Sequence, residues 1–160
     1  MSAQSDNFEN KYIDWLFRAQ ALGLNGSTAG AGSGPATLYV SLKLAADTDS
    51  VQGAEVSGGG YARVAVTSSL ANWAGTQGAA STSVSSGASG TTSNNIALQF
   101  PGGSAVSAAW GQVVGFGIHD SLTGGVELYY APLATPKTIN QGDPAPSFAA
   151  GALTVQVDNG

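Results

Sequence analysis

The apolar positions change period once along the chain. Between about Asn7 and Gln20 they recur at helical intervals, through Phe8, Tyr12, Trp15, Leu16 and Ala19. Asp6 followed by Glu9 resembles a capping box. Asp14 and Arg18 stand at the i,i+4 spacing that pairs opposite charges on a helix. Ile13 and Phe17 widen the apolar arc beyond one stripe, leaving Asn10, Lys11, Asp14 and Arg18 as the continuous polar strip. So apolar a helix on a small domain predicts two covered surfaces. One is the protein's own sheet and the other a neighbouring subunit, which makes Phe8, Tyr12, Ile13, Trp15, Leu16 and Phe17 candidate assembly or docking residues.

Beyond Pro35 the pattern alternates residue by residue. Leu38, Val40, Leu42 and Leu44 face one way, with Tyr39, Ser41 and Lys43 opposite. Val64 and Val66 repeat the pattern, as do Ile96, Leu98 and Phe100, then Val114, Phe116 and Ile118, then Val126, Leu128 and Tyr130, and finally Leu153, Val155 and Val157. Short alternating runs separated by Gly- and Pro-rich turns are half-buried antiparallel strands. The predicted fold is mainly β: an antiparallel β-sandwich or jelly-roll-like domain with a short N-terminal α-helix. The expected organisation is a helix and tether at 1–22, a Gly/Ser-rich linker at 23–35, and a β-domain at 36–160. Within the last, residues 68–95 are almost wholly Ser, Gly, Ala and Thr, and read as a low-complexity arm or loop anchored by Trp73.

Composition sharpens this picture. Hydrophobic residues make up 42% of the 160, but charged residues only 9%, against about 25% in an ordinary soluble domain. No Asp, Glu, Lys or Arg occurs between Val64 and Ile118. Uncharged extended segments associate when left exposed, so part of this surface is expected to be covered by other chains. The net charge of −5, with five scattered cations, argues against nucleic acid, which needs Lys and Arg to neutralise phosphates, and against anionic membranes. There is no cysteine, hence no disulfide or thiolate metal site. The first ten residues lack the basic start and apolar run of an export leader, and no apolar run approaches the length of a membrane helix.

Candidate chemistry is sparse. His119 beside Asp120 could in principle be a base oriented by a carboxylate, but no nucleophile elbow accompanies it, and neighbours in a strand point to opposite faces. A surface or interface histidine is the expectation. Asp47, Asp49 and Glu55 share one loop that could offer oxygen ligands to Ca²⁺, but not at EF-hand spacing. A plain polar connection is expected. The glycine clusters fall between strands rather than in a strand–turn–helix nucleotide motif. No catalytic residue, metal site or cofactor is predicted.

The run Glu55-Val56-Ser57-Gly58-Gly59-Gly60-Tyr61-Ala62-Arg63 resembles a motif of small virion structural proteins of tailed bacteriophages, often labelled "phage tail fibre protein". The likeness extends over most of the chain. It takes in Asn7 to Asp14, Pro35 to Leu42, Trp110 to Ile118, Leu128 to Ala131, Pro136 to Asp143 and Phe148 to Val155. The resemblance implies a non-enzymatic virion protein, an oligomer with a trimer favoured, partnered by major capsid or tail proteins and assembled in the host cytoplasm. Capsid decoration (cement) and a tail-associated fibre are both compatible. A carbohydrate-binding module for host adsorption is the alternative, with Trp73 as the expected surface aromatic contact and Tyr39, Tyr61, Trp110 and Tyr129 as further candidates.

Overall fold

The computed structural model describes residues 4–24 and 34–157. Residues 25–33, most of the expected linker, lie outside the described residues. The fold is mainly β and antiparallel with one N-terminal helix, as the sequence predicts. Helix α1 covers Asp6–Arg18. Eight strands follow: β1 Thr37–Lys43, β2 Val64–Thr67, β3 Thr91–Ser93, β4 Leu98–Gln99, β5 Gly111–His119, β6 Glu127–Ile139, β7 Ser147–Phe148 and β8 Thr154–Gln156. They form one four-stranded sheet in the order β2-β1-β5-β6 and two small pairs, β3-β8 and β4-β7. Among the described residues no helix is long and apolar enough to cross a membrane.

The chain divides into two compact units. The first comprises Met1–Ala36, Thr67–Leu98 and Phe148–Gly160, and the second Thr37–Val66 and Gln99–Ser147. The Ser/Gly-rich segment falls in the same unit as the helix.

In the first unit, α1 starts one residue earlier than its charge pattern suggests. Ser5 is the N-cap, its carbonyl accepting from Phe8 N at 2.8 Å and Glu9 N at 3.0 Å. Ala19, at φ 56°, ends the helix in the left-handed region. Ile13, Leu16 and Phe17 are buried. So, against expectation, is half of the polar strip. Arg18 is fully buried and pairs with Asp14 at 2.6 Å. It also donates from Nε to the Trp73 carbonyl at 3.0 Å and from Nη2 to the Ser83 carbonyl at 2.6 Å. Asp14 in turn accepts from Ser85 N at 2.9 Å and Ser85 Oγ at 2.6 Å. Thr76 donates to Asn10 one turn earlier. A segment with almost no large apolar side chains is therefore ordered by hydrogen bonds to buried charges, which are about twice as strong as neutral ones. Pairing of β3 with β8 and the Asn94 amide complete it, the latter accepting from Leu153 N at 2.9 Å and donating to the Ala149 carbonyl at 2.8 Å.

In the second unit, β1 and β5 are the inner strands of the four-stranded sheet, and both are buried along most of their length on both faces. β6 is an edge strand and mostly exposed. Leu133, Ala134, Thr135 and Pro136 lie between the paired positions Pro132 and Lys137, opposite Val114 alone. A bulge, two prolines and a lysine on an edge are features that discourage pairing with another sheet.

Replacing Arg18 by methionine leaves Asp14 buried without its cation. The expected loss is about 3–5 kcal/mol of unfolding free energy, read from denaturant titration of the variant against the parent.

Candidate functional site

The sequence-derived docking residues divide into two sets. Ile13, Leu16 and Phe17 are buried. Phe8, Tyr12 and Trp15 are half-buried and form a continuous aromatic row, with ring centroids 6.4 Å apart for Phe8–Tyr12 and 6.0 Å for Tyr12–Trp15. The expected surface aromatic, Trp73, is not at the surface. It is fully buried and meets Phe17 edge-on at 4.9 Å. The largest side chain in the segment serves as its core anchor, because little else there can bury apolar area. Trp110 is likewise buried, and Tyr39, Tyr61 and Tyr129 are half-buried. The exposed aromatic is Tyr130, whose hydroxyl bonds Asp49. Thr48, Asp49, Ser50, Gln52 and Tyr130 line a cleft of about 390 Å³.

The glycine-rich turn builds a rigid corner in the second unit. Gly58, Gly59 and Gly60 all have positive φ, at 72°, 59° and 82°, a run that other residues resist. Trp110 Nε1 donates to the Gly59 carbonyl at 3.2 Å and the indole meets Tyr61 edge-on at 5.3 Å. Tyr61 accepts from Leu42 N at 3.0 Å and donates to Glu55 at 2.8 Å. Arg63 pairs with Glu55 at 2.7 Å and donates to the Ser121 and Gly124 carbonyls, each at 2.8 Å. Burial pushes Glu55 upward, but the hydrogen bonds from Arg63 and Tyr61 outweigh it and hold the carboxyl below its ordinary value.

A cluster that sequence reasoning missed lies on the inner strands. Lys43 is buried, with Nζ 3.0 Å from Asp47 Oδ1 and 2.6 Å from Glu127 Oε1. His119 is also buried rather than at a surface, because β5 is an inner strand. Its Nε2 lies 2.9 Å from Ser41 Oγ and 3.5 Å from Glu127 Oε1. Gly117 makes the room. A Cβ there would fall 2.8 Å from Ser41 Oγ and 2.9 Å from Lys43 Cε. The signal available in the sequence was the pairing of small residues on one strand (Gly115, Gly117) with polar ones on another (Ser41, Lys43).

The three types Ser, His and Glu do not make a hydrolase here. In such a site one ring nitrogen faces the serine and the other the carboxylate. Ser41 and Glu127 both address Nε2, Nδ1 is buried without a protein partner, and Ser41 is fully buried. Asp120 is engaged elsewhere, its Oδ1 accepting from Val126 N at 2.8 Å. The acidic loop is similarly committed: Asp47 to Lys43, Asp49 to Tyr130, Glu55 to Arg63.

The chain is mainly β and antiparallel, and Arg18, Lys43 and Arg63 with their carboxylate partners hold its loops in place. The chain belongs to the family described as podophage GP4 fiber I protein gp80, whose profile matches residues 3–156. It is therefore of a phage fibre structural family. No curated protein matches the chain.

Burial, with Arg63 and Lys43 nearby, lowers His119 to about 4. The unfolded chain then takes up a proton near pH 6.5 that the native state refuses until about pH 4. Stability is full above pH 6.5 and should fall by up to about 3 kcal/mol as pH drops through that window. Toward its lower end Glu55, held low, adds to the loss, while Glu127, raised by burial, offsets it. Thermal melts from pH 7 to 4 should show the decline, and His119→Gln should flatten it above pH 5.

Proposed function

We propose that the protein is a non-enzymatic surface component of a phage particle, working as a homo-oligomer, with a trimer favoured, bound to other virion proteins. The observation that carries this reading is the family match across nearly the whole chain. The family's own description, a podophage fibre, favours a tail-associated fibre over capsid decoration or cement. The scarcity of surface charge supports burial against neighbours. The aromatic row Phe8–Tyr12–Trp15 supports α1 as the place where copies meet, since half-buried aromatics are enriched at such contacts. Assembly in the host cytoplasm follows from the same reading.

Light scattering on the purified protein is expected to give a trimer's mass, and the double variant Phe8→Ala/Tyr12→Ala a smaller one with the parent's circular-dichroism spectrum retained. A parent that remains monomeric at high concentration, and does not bind purified tails or capsids, contradicts the proposal.

The cleft at Tyr130 favours a second reading, a carbohydrate-binding module contacting the host surface. An exposed ring braced by a carboxylate and flanked by Gln52, Thr48 and Ser50 suits the apolar face and hydroxyls of a sugar. Glycan-array binding that disappears in Tyr130→Ala supports it, and an array without signal for the parent removes it.

A further inference from the structure

From the placement of Lys43, Asp47 and Glu127 we infer that this chain forms an intramolecular amide crosslink between the Lys43 side chain and the Asp47 side chain, promoted by Glu127. The three groups meet in a nearly dry site. Lys43 has 2%, Asp47 3% and Glu127 5% of its side chain exposed. The amine nitrogen is 3.0 Å from Asp47 Oδ1, an oxygen bonded to the carbon it would attack, and 2.6 Å from Glu127 Oε1. Gly53 N donates to Asp47 Oδ1 at 2.7 Å, a backbone donor aimed at the oxygen on which charge builds during attack. Gly117 keeps open the space in which Lys43 and Glu127 meet.

A simple ion pair needs one carboxylate; this lysine has two. Two carboxylates around one ammonium leave a surplus negative charge, and in a buried site one of them tends to hold a proton. Burial indeed raises Glu127 above the ordinary carboxylate value, with Lys43 opposing and Asp47 reinforcing the shift. Glu127 is thus suited to take a proton from Lys43 and pass it on.

The step balances without a co-reactant. Lys43 gives one proton to Glu127 and becomes a neutral amine. Its lone pair attacks Asp47 Cγ, forming the C–N bond. The second proton leaves the nitrogen, and Glu127 relays both protons to Asp47 Oδ2. The C–Oδ2 bond breaks, that oxygen departs as water, and Glu127 returns to its starting state. An ammonium and a carboxylate become one neutral amide and one water, with nothing oxidised or reduced. The product also relieves the burial of two opposite charges, which is costly even when they are paired.

The crosslink closes only the short stretch between the end of β1 and Asp47, so its effect on chain entropy is small. Its consequence is chemical. It pins the end of an inner strand by a covalent bond in a chain that has no cysteine for a disulfide.

The test is the intact mass of the freshly purified full chain. The parent is expected to be lighter than its sequence by one water, with a tryptic fragment in which Lys43 is uncleaved and joined to Asp47. Glu127→Gln and Lys43→Arg, the latter keeping the positive charge, are each expected at full mass. Asp47→Asn is expected to form the same amide with loss of ammonia instead of water. A parent at full mass overturns the inference whatever the variants do. So does a missing water that fragmentation places in a succinimide at an aspartate with Lys43 free.

Discussion

The fold depends on cations taken inside. Of five Lys and Arg residues, Arg18 and Lys43 are buried whole and Arg63 has 8% of its side chain exposed. A buried charge is tolerable only with a partner and with its remaining hydrogen bonds satisfied. Each of these three therefore dictates the path of the chain around it. Arg18 draws the carbonyls of Trp73 and Ser83 and the loop at Ser85 onto α1. Arg63 draws the Ser121–Gly124 turn and Glu55 together. Lys43 gathers Asp47 and Glu127 at the end of β1. Segments too poor in apolar side chains to order themselves by burial are ordered by these three centres.

The same arrangement leaves few cations on the exterior. Among the cations Lys137 is exposed on β6, and Lys11 is tied to the Gly23 carbonyl at 2.7 Å. The net charge of −5 is carried there by exposed carboxylates, among them Asp6, Asp49 and Asp120. The long edge β6 is blunted by its prolines and bulge, which discourages strand addition.

Much of the fold was legible. The helix is found at Asp6–Arg18 against an expected Asn7–Gln20, and Leu38, Val40, Leu42, Leu153, Val155 and Val157 are buried as their alternation requires. What alternation could not tell is whether the second face of a strand meets water. Ser41 and Lys43 read as the solvent side of β1 and are instead interior, because β1 lies between β2 and β5. The helix misled in the same way. Within its polar strip Asp14 and Arg18 turn inward, because the Ser/Gly-rich segment offers carbonyls and hydroxyls rather than apolar groups. Trp73 followed as a consequence, drawn into the core of its unit. The Lys43 cluster was invisible because Ser41, Lys43, His119 and Glu127 are brought together by strand register, His119 opposite Tyr39 and Glu127, Lys43 opposite Gly115, while Asp47 reaches in from the loop after β1.

In the proposed fibre role the aromatics Phe8, Tyr12 and Trp15 are covered by other copies. An image of the intact phage particle at side-chain detail addresses it directly. Density for this chain is expected within a tail-associated fibre, with Phe8, Tyr12 and Trp15 packed against neighbouring copies. Density for an isolated single copy with that row facing solvent, or no density for the chain anywhere on the particle, would contradict it.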